Sequence, residues 1–234
     1  MADRVRFIAV LDVEATCWLP TGQPLRDRLD NADGLCGSEG GDVVTREVIE
    51  LGICLLDART LELAGRLAID VRPSTTEISP YCTELTGMTP ERAAQGVPFA
   101  SALSALCRHL AGNIAQQRAG QATGPDAPQC AVGPEDAAEV AHVALASWGN
   151  FDRIVLEQQC RREGVAWPFS RTHMNVRSLF ALARGERREL SLAVALRVFG
   201  IERAGQAHRA ADDAESAAYV LRELLARGRQ AAQR

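Results

Sequence analysis

The sequence contains no lysine: all 26 of its basic residues are arginine. Aromatics make up only 5% of it. No uninterrupted apolar run comes near the ~18 residues of a membrane-spanning helix, so a membrane span is excluded. The N-terminal stretch MADRVRFIAVLDVE meets acids too early and has no small-residue cleavage site, which excludes a secretory leader and makes a cytoplasmic product the expectation. The seven cysteines are odd in number, scattered, and form no CxxC pair. That argues against a zinc ribbon or a disulfide framework and for reduced thiols. Gly and Pro usage is unbiased and 47% of residues are apolar, which rules out a disordered or collagen-like chain.

What is present suits one globular domain. With 234 residues the chain can bury a core that needs no staples. Its net charge of −4 hides an asymmetry. Residues 1–150 carry 11 Arg against 20 acids, whereas residues 151–234 carry 15 Arg against 10 acids. The basic half either faces a polyanion or decorates helix surfaces.

Short β-branched and apolar runs predict strands at 5–13, 47–57, 63–72 and 139–148. The first three form an antiparallel meander, because the linker DARTLE is short enough for a hairpin. Ser79-Pro80 opens a short helix that Gly87 ends, and Thr89-Pro90-Glu91 opens another. Helical spacing recurs at 98–111, 151–163, 175–184, 190–199 and 208–227. Polar, Gly-rich stretches read as loop insertions at 19–45 and 112–138 within a single domain spanning 1–234. The order βββ, α, β, then mostly α makes this an α/β or α+β domain with a mixed sheet.

Three places carry chemistry. The first strand runs into Asp12-Val13-Glu14, and strand alternation puts Asp12 and Glu14 on one face. Neighbouring carboxylates repel unless a cation lies between them, so the pair is either a metal site or a solvated strand end. In the last helix, Asp213 heads the apolar stripe of Ala217, Val220 and Leu224. An acid there is costly unless paired or liganded. Asp212 instead heads the wetter face of Ser216, Tyr219 and Glu223, where the helix dipole favours it. His208 lies just before this helix. Asp152 sits at a strand-to-helix junction, a position that alone reads as an ordinary helix N-terminal acid.

Together these residues resemble the motifs of the DEDDh group of 3′–5′ exonucleases, the DnaQ-like branch of the ribonuclease-H-like fold. DxExT is present as DVEAT at Asp12, Glu14 and Thr16; the second motif is WGNFD with Asp152; and H-x-x-x-x-D is HRAADD with His208 and Asp213. Within that group LDVEATCW, REVIELG, ISPYCTELTGMT and SWGNFD are similar to the branch of the histone-mRNA 3′-end and enhanced-RNAi exonucleases and the bacterial KapD-type proteins.

The resemblance implies a ribonuclease-H-like fold, with a mixed sheet of about five strands flanked by helices. It implies two divalent ions, Mg²⁺ or Mn²⁺, held by Asp12, Glu14, Asp152 and Asp213, with His208 as general base. The partner is a single-stranded RNA or DNA 3′ end. Thr16 resembles a position that meets the terminal nucleotide, its other reading being a cap, and Met88 and Trp148 either pack against bases or serve as packing and core residues. Two further readings are a DNA-proofreading-type exonuclease and a regulatory binding protein on the same fold.

Overall fold

The structure is a computed structural model that describes residues 6–18, 46–119 and 140–233. The expected insertion at 19–45, and the part of 112–138 beyond residue 119, lie outside the described residues. Three strands come first: β1 (Phe7–Ala15), β2 (Val48–Asp57) and β3 (Leu63–Asp70). Helices α1 (Pro80–Thr86), α2 (Pro90–Gln95) and α3 (Phe99–Ala119) follow. After β4 (Ala144–Ser147) come α4 (Phe151–Glu163), the three-residue β5 (His173–Asn175), α5 (Val176–Arg184), α6 (Leu192–Phe199) and α7 (Ala210–Ala232).

The strands form one sheet in the order β3-β2-β1-β4-β5. β1, β2 and β3 pair antiparallel, while β4 runs parallel to β1 and β5 parallel to β4. This is the expected mixed five-stranded sheet of a ribonuclease-H-like fold, with β1 at its centre. β1 can sit there because it is apolar on both faces. Phe7, Leu11 and Val13 pack toward α3 and α4; Ile8 and Val10 pack toward α5, α6 and α7. The second face continues at alternate positions into Asp12 and Glu14. An apolar stripe therefore turns acidic at the C-terminal end of the strand, beside α7.

Two boundaries depart from expectation. The insertion expected from residue 112 begins inside a helix, because α3 continues to Ala119. Gly112 does not end it, since Ile114 extends the buried stripe of Leu103, Leu106 and Leu110 and is itself 1% exposed. Tertiary burial of Ile114 outweighs the local cost of a helical glycine, about 1 kcal/mol. The strand expected over 139–148 contracts to Ala144–Ser147, and Val140 and Val143 close a turn ahead of it. Among the described residues no helix is long and apolar enough to cross a membrane.

The helix that matters most to the site, α7, lies directly on β2. A Cβ placed on Gly52 would stand 2.0 Å from the carbonyl carbon of Ala210 and 2.2 Å from the amide nitrogen of Ala211. Only hydrogen on the Gly52 Cα permits that approach, and rigid backbone on the other side cannot yield. Gly52→Ala is therefore expected to lower stability by at least about 2 kcal/mol in a urea melt. A loss below about 0.5 kcal/mol, the ordinary range of surface substitutions, would mean the strand and helix are not in backbone contact.

Candidate active site

β1 supplies two carboxylates and its neighbours supply the rest. Glu14 lies opposite Glu50 on β2, and Asp12 opposite Gly52. Because Gly52 admits the α7 backbone, the first turn of that helix arrives beside both acids. It brings Asp213, which is 9% exposed. Donor atoms of Glu14, His208 and Asp213 all lie within 4.8 Å of one another. Asp152 enters from the N-terminal turn of α4, where its Oδ1 accepts a hydrogen bond from the Val13 amide at 3.0 Å. That bond fixes Asp152 against the strand segment between Asp12 and Glu14. Three separate elements thus place the expected acids and His208 at one end of the sheet.

Crowding shows in their ionisation. Burial, followed by the charges of Asp152, Glu14, Asp213 and Glu50, holds the Asp12 carboxyl well above the usual range. Burial and the same neighbouring acids push Glu14 up to about 8. Asp152 is pushed up to about 7 by burial, although hydrogen bonds from Val13 and Ser147 act in the opposite sense. Burial also raises Asp213, against the pull of Arg203, which pairs with its Oδ1, and of His208, whose amide donates to its Oδ2 at 2.9 Å. Four oxygen donors with an excess of negative charge, in a place where water screens poorly, form a donor set suited to hard divalent cations.

Asp212 is separated from this site, as its place one residue off the stripe requires, yet its face of α7 is not wet. Ser216 is fully buried and accepts a hydrogen bond from the Ala204 amide at 3.1 Å. Asp212 pairs with Arg66 of β3 and accepts from the Gln206 amide at 2.7 Å. The segment 203–209 folds back over that side of the helix, a contact that helical periodicity cannot reveal.

The three expected substrate contacts are placed less favourably. Thr16 is 0% exposed, and its hydroxyl accepts from the Glu47 amide at 2.9 Å. Met88 packs in a small cluster with Cys17, Ile49, Cys82 and Ala93. Trp148 is buried with its ring tilted against Phe180, 6.2 Å between centroids. The Met88 and Trp148 side chains are core residues and present no open face to a base. An apolar residue next to a motif is equally compatible with the core, and here the core claims both.

Several residues at the site escaped sequence reasoning. Phe151, next to Asp152, is 39% exposed, and the Arg46 guanidinium lies 5.4 Å from its ring centre. Glu47 accepts bonds from the amides and hydroxyls of Ser74, Thr75 and Thr76, which hold its carboxyl down at about 2 despite the opposing effect of burial. Glu50 is 1% exposed and pairs with Arg92 at 3.1 Å and Arg209 at 3.0 Å. The signal for Glu50 was available: a lone acid inside the otherwise apolar run VIELGICLL must have partners.

The raised carboxyls make stability depend on pH with a definite sign. Glu14 and Asp152 bind protons more tightly in the folded chain than in the unfolded one, so the metal-free fold loses stability as pH rises from about 4, through 7, toward 8. Divalent cation should restore it. The melting temperature of chelator-treated protein is expected to fall between pH 5 and pH 8, and added Mn²⁺ to raise it more at pH 8 than at pH 5. Equal Mn²⁺ effects at both values would show that the four acids do not share a cation.

No protein-family profile matches the chain. ERI1 exoribonuclease 2 of Mus musculus is 28% identical over 225 residues, covering 95% of this chain and 29% of the relative. The chain thus spans less than a third of that protein's length. The 3′-5′ exonuclease Snipper of Drosophila melanogaster is 23% identical over 225 residues, 95% of this chain and 70% of Snipper. Among solved structures, the nuclease domain of 3′hExo, a DEDDh family member bound to rAMP, superposes with a TM-score of 0.68 at 21% identity, covering 97% of this chain and 94% of that one. The acids of β1, α4 and α7 and His208 stand in the order that the DEDDh motifs require, and the chain is a homologue of ERI1 exoribonuclease 2 and Snipper with the ribonuclease-H-like fold of the DEDDh nucleases.

Proposed function

We propose that this chain is a metal-dependent 3′–5′ exonuclease acting on single-stranded RNA ends and releasing nucleoside 5′-monophosphates. The observation that carries the reading is the convergence of Asp12, Glu14, Asp152, Asp213 and His208 from three elements onto one end of the sheet. The relatives named as exoribonucleases favour RNA over DNA as the substrate. A regulatory protein that only binds would have no need to keep all five groups. We read residues 1–234 as one nuclease domain, because β1 near one end of the sequence packs against α7 near the other. Action in the cytoplasm suits five described cysteines that are buried free thiols.

Asp12, Glu14, Asp152 and Asp213 would hold the divalent ions, two in number and Mg²⁺ or Mn²⁺ in kind. When bound, these ions make the attacking water more acidic and stabilise the departing 3′ oxygen. The chain's own part is positional. Asp152, tied to the Val13 amide, and Asp213, tied to the His208 amide, cannot swing away from the cleft. A ring nitrogen of His208, close to the Glu14 and Asp213 oxygens, would take a proton from the water as its oxygen bonds to phosphorus and the bond from phosphorus to the 3′ oxygen breaks, that oxygen leaving as the 3′-hydroxyl of the shortened strand. Phe151 offers an exposed ring beside Asp152 on which a terminal base can stack without its sequence being read.

Incubation of 5′-labelled RNA and DNA oligonucleotides with Mg²⁺ or Mn²⁺ should give stepwise shortening of the RNA from its 3′ end. No shortening of either strand would refute the reading; DNA-only cleavage would favour the proofreading-type alternative. Asp12→Ala and Asp213→Ala are expected to abolish turnover in a folded protein. His208→Ala should lower it by about 10²–10⁴, the usual contribution of a general base. Phe151→Ala should raise KM by about 10-fold or more, while leaving the melting temperature nearly unchanged, as expected for loss of one base-stacking partner. An unaltered KM would remove Phe151 from substrate binding.

A further inference from the structure

We propose that Glu50 is a positioning residue for His208, clamping the start of α7 to the sheet so that the imidazole is aimed into the cleft. The proposal rests on the nuclease reading above. His208 has φ +60°, a left-handed conformation that a residue with a side chain seldom adopts. Such a conformation persists only where the surroundings over-determine it. Most of the bonds that hold the segment come from α7 itself, through Asp212, Asp213 and Ser216. They shape the segment but cannot locate it on the sheet.

Two ties reach the sheet. Arg66 of β3 holds Asp212 from an exposed position. Glu50 of β2 does the same from the interior. Arg209, the N-cap residue of α7 and the neighbour of His208, provides no side-chain cap for its own helix. Glu50 provides one from another strand. Its Oε2 accepts from the Ala210 amide at 3.2 Å, and its Oε1 accepts from Arg209 Nη2 at 3.0 Å. Arg209 and Ala210, the two residues that follow His208, are thereby attached to one buried carboxylate.

Glu50 is held in turn. Arg92 donates to its Oε1 at 3.1 Å and to Asp70 Oδ2 at 2.7 Å, and Asp70 lies opposite Glu50 across the β2–β3 pair. Both Glu50 oxygens are engaged, Oε1 by Arg92 and Arg209 and Oε2 by the Ala210 amide. Glu50 acts through the helix start, not on the reacting atoms. Gly52, two residues along on the same face, removes the side chain that would lift α7 off this clamp.

The test combines kinetics with amide exchange on Glu50→Gln, Glu50→Ala and Arg209→Ala, each also made in a His208→Ala background. Glu50→Ala is expected to lower kcat by about 10- to 100-fold with KM within about threefold, the scale of a misaimed catalytic group. Once His208 is absent, the same change should lower kcat by less than about twofold, since residues acting as one unit are not additive. Fully additive losses would overturn the proposal by showing that Glu50 acts independently of His208. Should Glu50→Ala not fold, Glu50→Gln and Arg209→Ala carry the same cycle.

Exchange of the peptide 203–213 should quicken about tenfold in Glu50→Gln and Arg209→Ala, with β1 amides unchanged. Unchanged exchange there would refute the clamp. If the wild type cleaves no nucleic acid, the nuclease reading fails, while the exchange result still decides whether Glu50 holds the His208 segment.

Discussion

Asp12 and Glu14, half-buried, and Asp152 and Asp213, buried, crowd four carboxyls at one end of the sheet, and the fold is arranged to keep them together against their repulsion. Burial raises all four carboxyls, and neighbouring acids add to the rise at Asp12, Glu14 and Asp152. A chain free to relax would let them part. Here none can. Asp12 and Glu14 are fixed by the central strand, which pairs with β2 along its length and with β4 just before them. Asp152 is bonded to that strand's backbone. Asp213 belongs to a helix pressed so closely on β2 that a methyl group would not fit between them.

Around this repulsive centre lies a shell of opposite charge. Arg92 and Arg209 meet the buried Glu50, Arg203 meets Asp213, and Arg66 bridges Asp212 and Glu215. Arginine suits this shell because a planar guanidinium can serve two carboxylates at once, as Arg92 does for Glu50 and Asp70. Breaking a buried pair of this kind costs more than forming it contributes, since it strands an uncompensated charge. The shell therefore specifies geometry more than it adds stability. Glu47 fills a comparable place on the opposite side of β2, where three consecutive residues of the β3–α1 connection wrap its carboxylate and bring that connection against Thr16. Both glutamates come from one short stretch of chain, Glu47 just before β2 and Glu50 within it, and together they organise the segments on either side of the acidic strand end.

Much of this was legible in the linear chain. Alternation placed Asp12 and Glu14 on one face, the apolar stripe of α7 distinguished Asp213 from Asp212, and capping residues marked α1 and α2. Those inferences hold because they depend on periodicity, which the backbone enforces locally. Inferences that depended on what lies opposite a residue fared differently. Met88 and Trp148 turned out to be core, Ser216 was covered by the segment before its own helix, and α3 ran through Gly112 because Ile114 found a buried site. β5, with only three residues, is too short to show any period at all.

The sequence by itself determined the mixed sheet, the order of the acids along it, and which face of its strand or helix each acid takes, because strand and helix periods are properties of neighbouring residues. Only the tertiary structure decided which charges lie together, which aromatic ring is exposed, and that Glu50 and Gly52 of one strand meet the start of a helix some 160 residues later. Those outcomes rest on packing and desolvation between segments far apart in the chain, and such terms exist only once the chain has closed on itself.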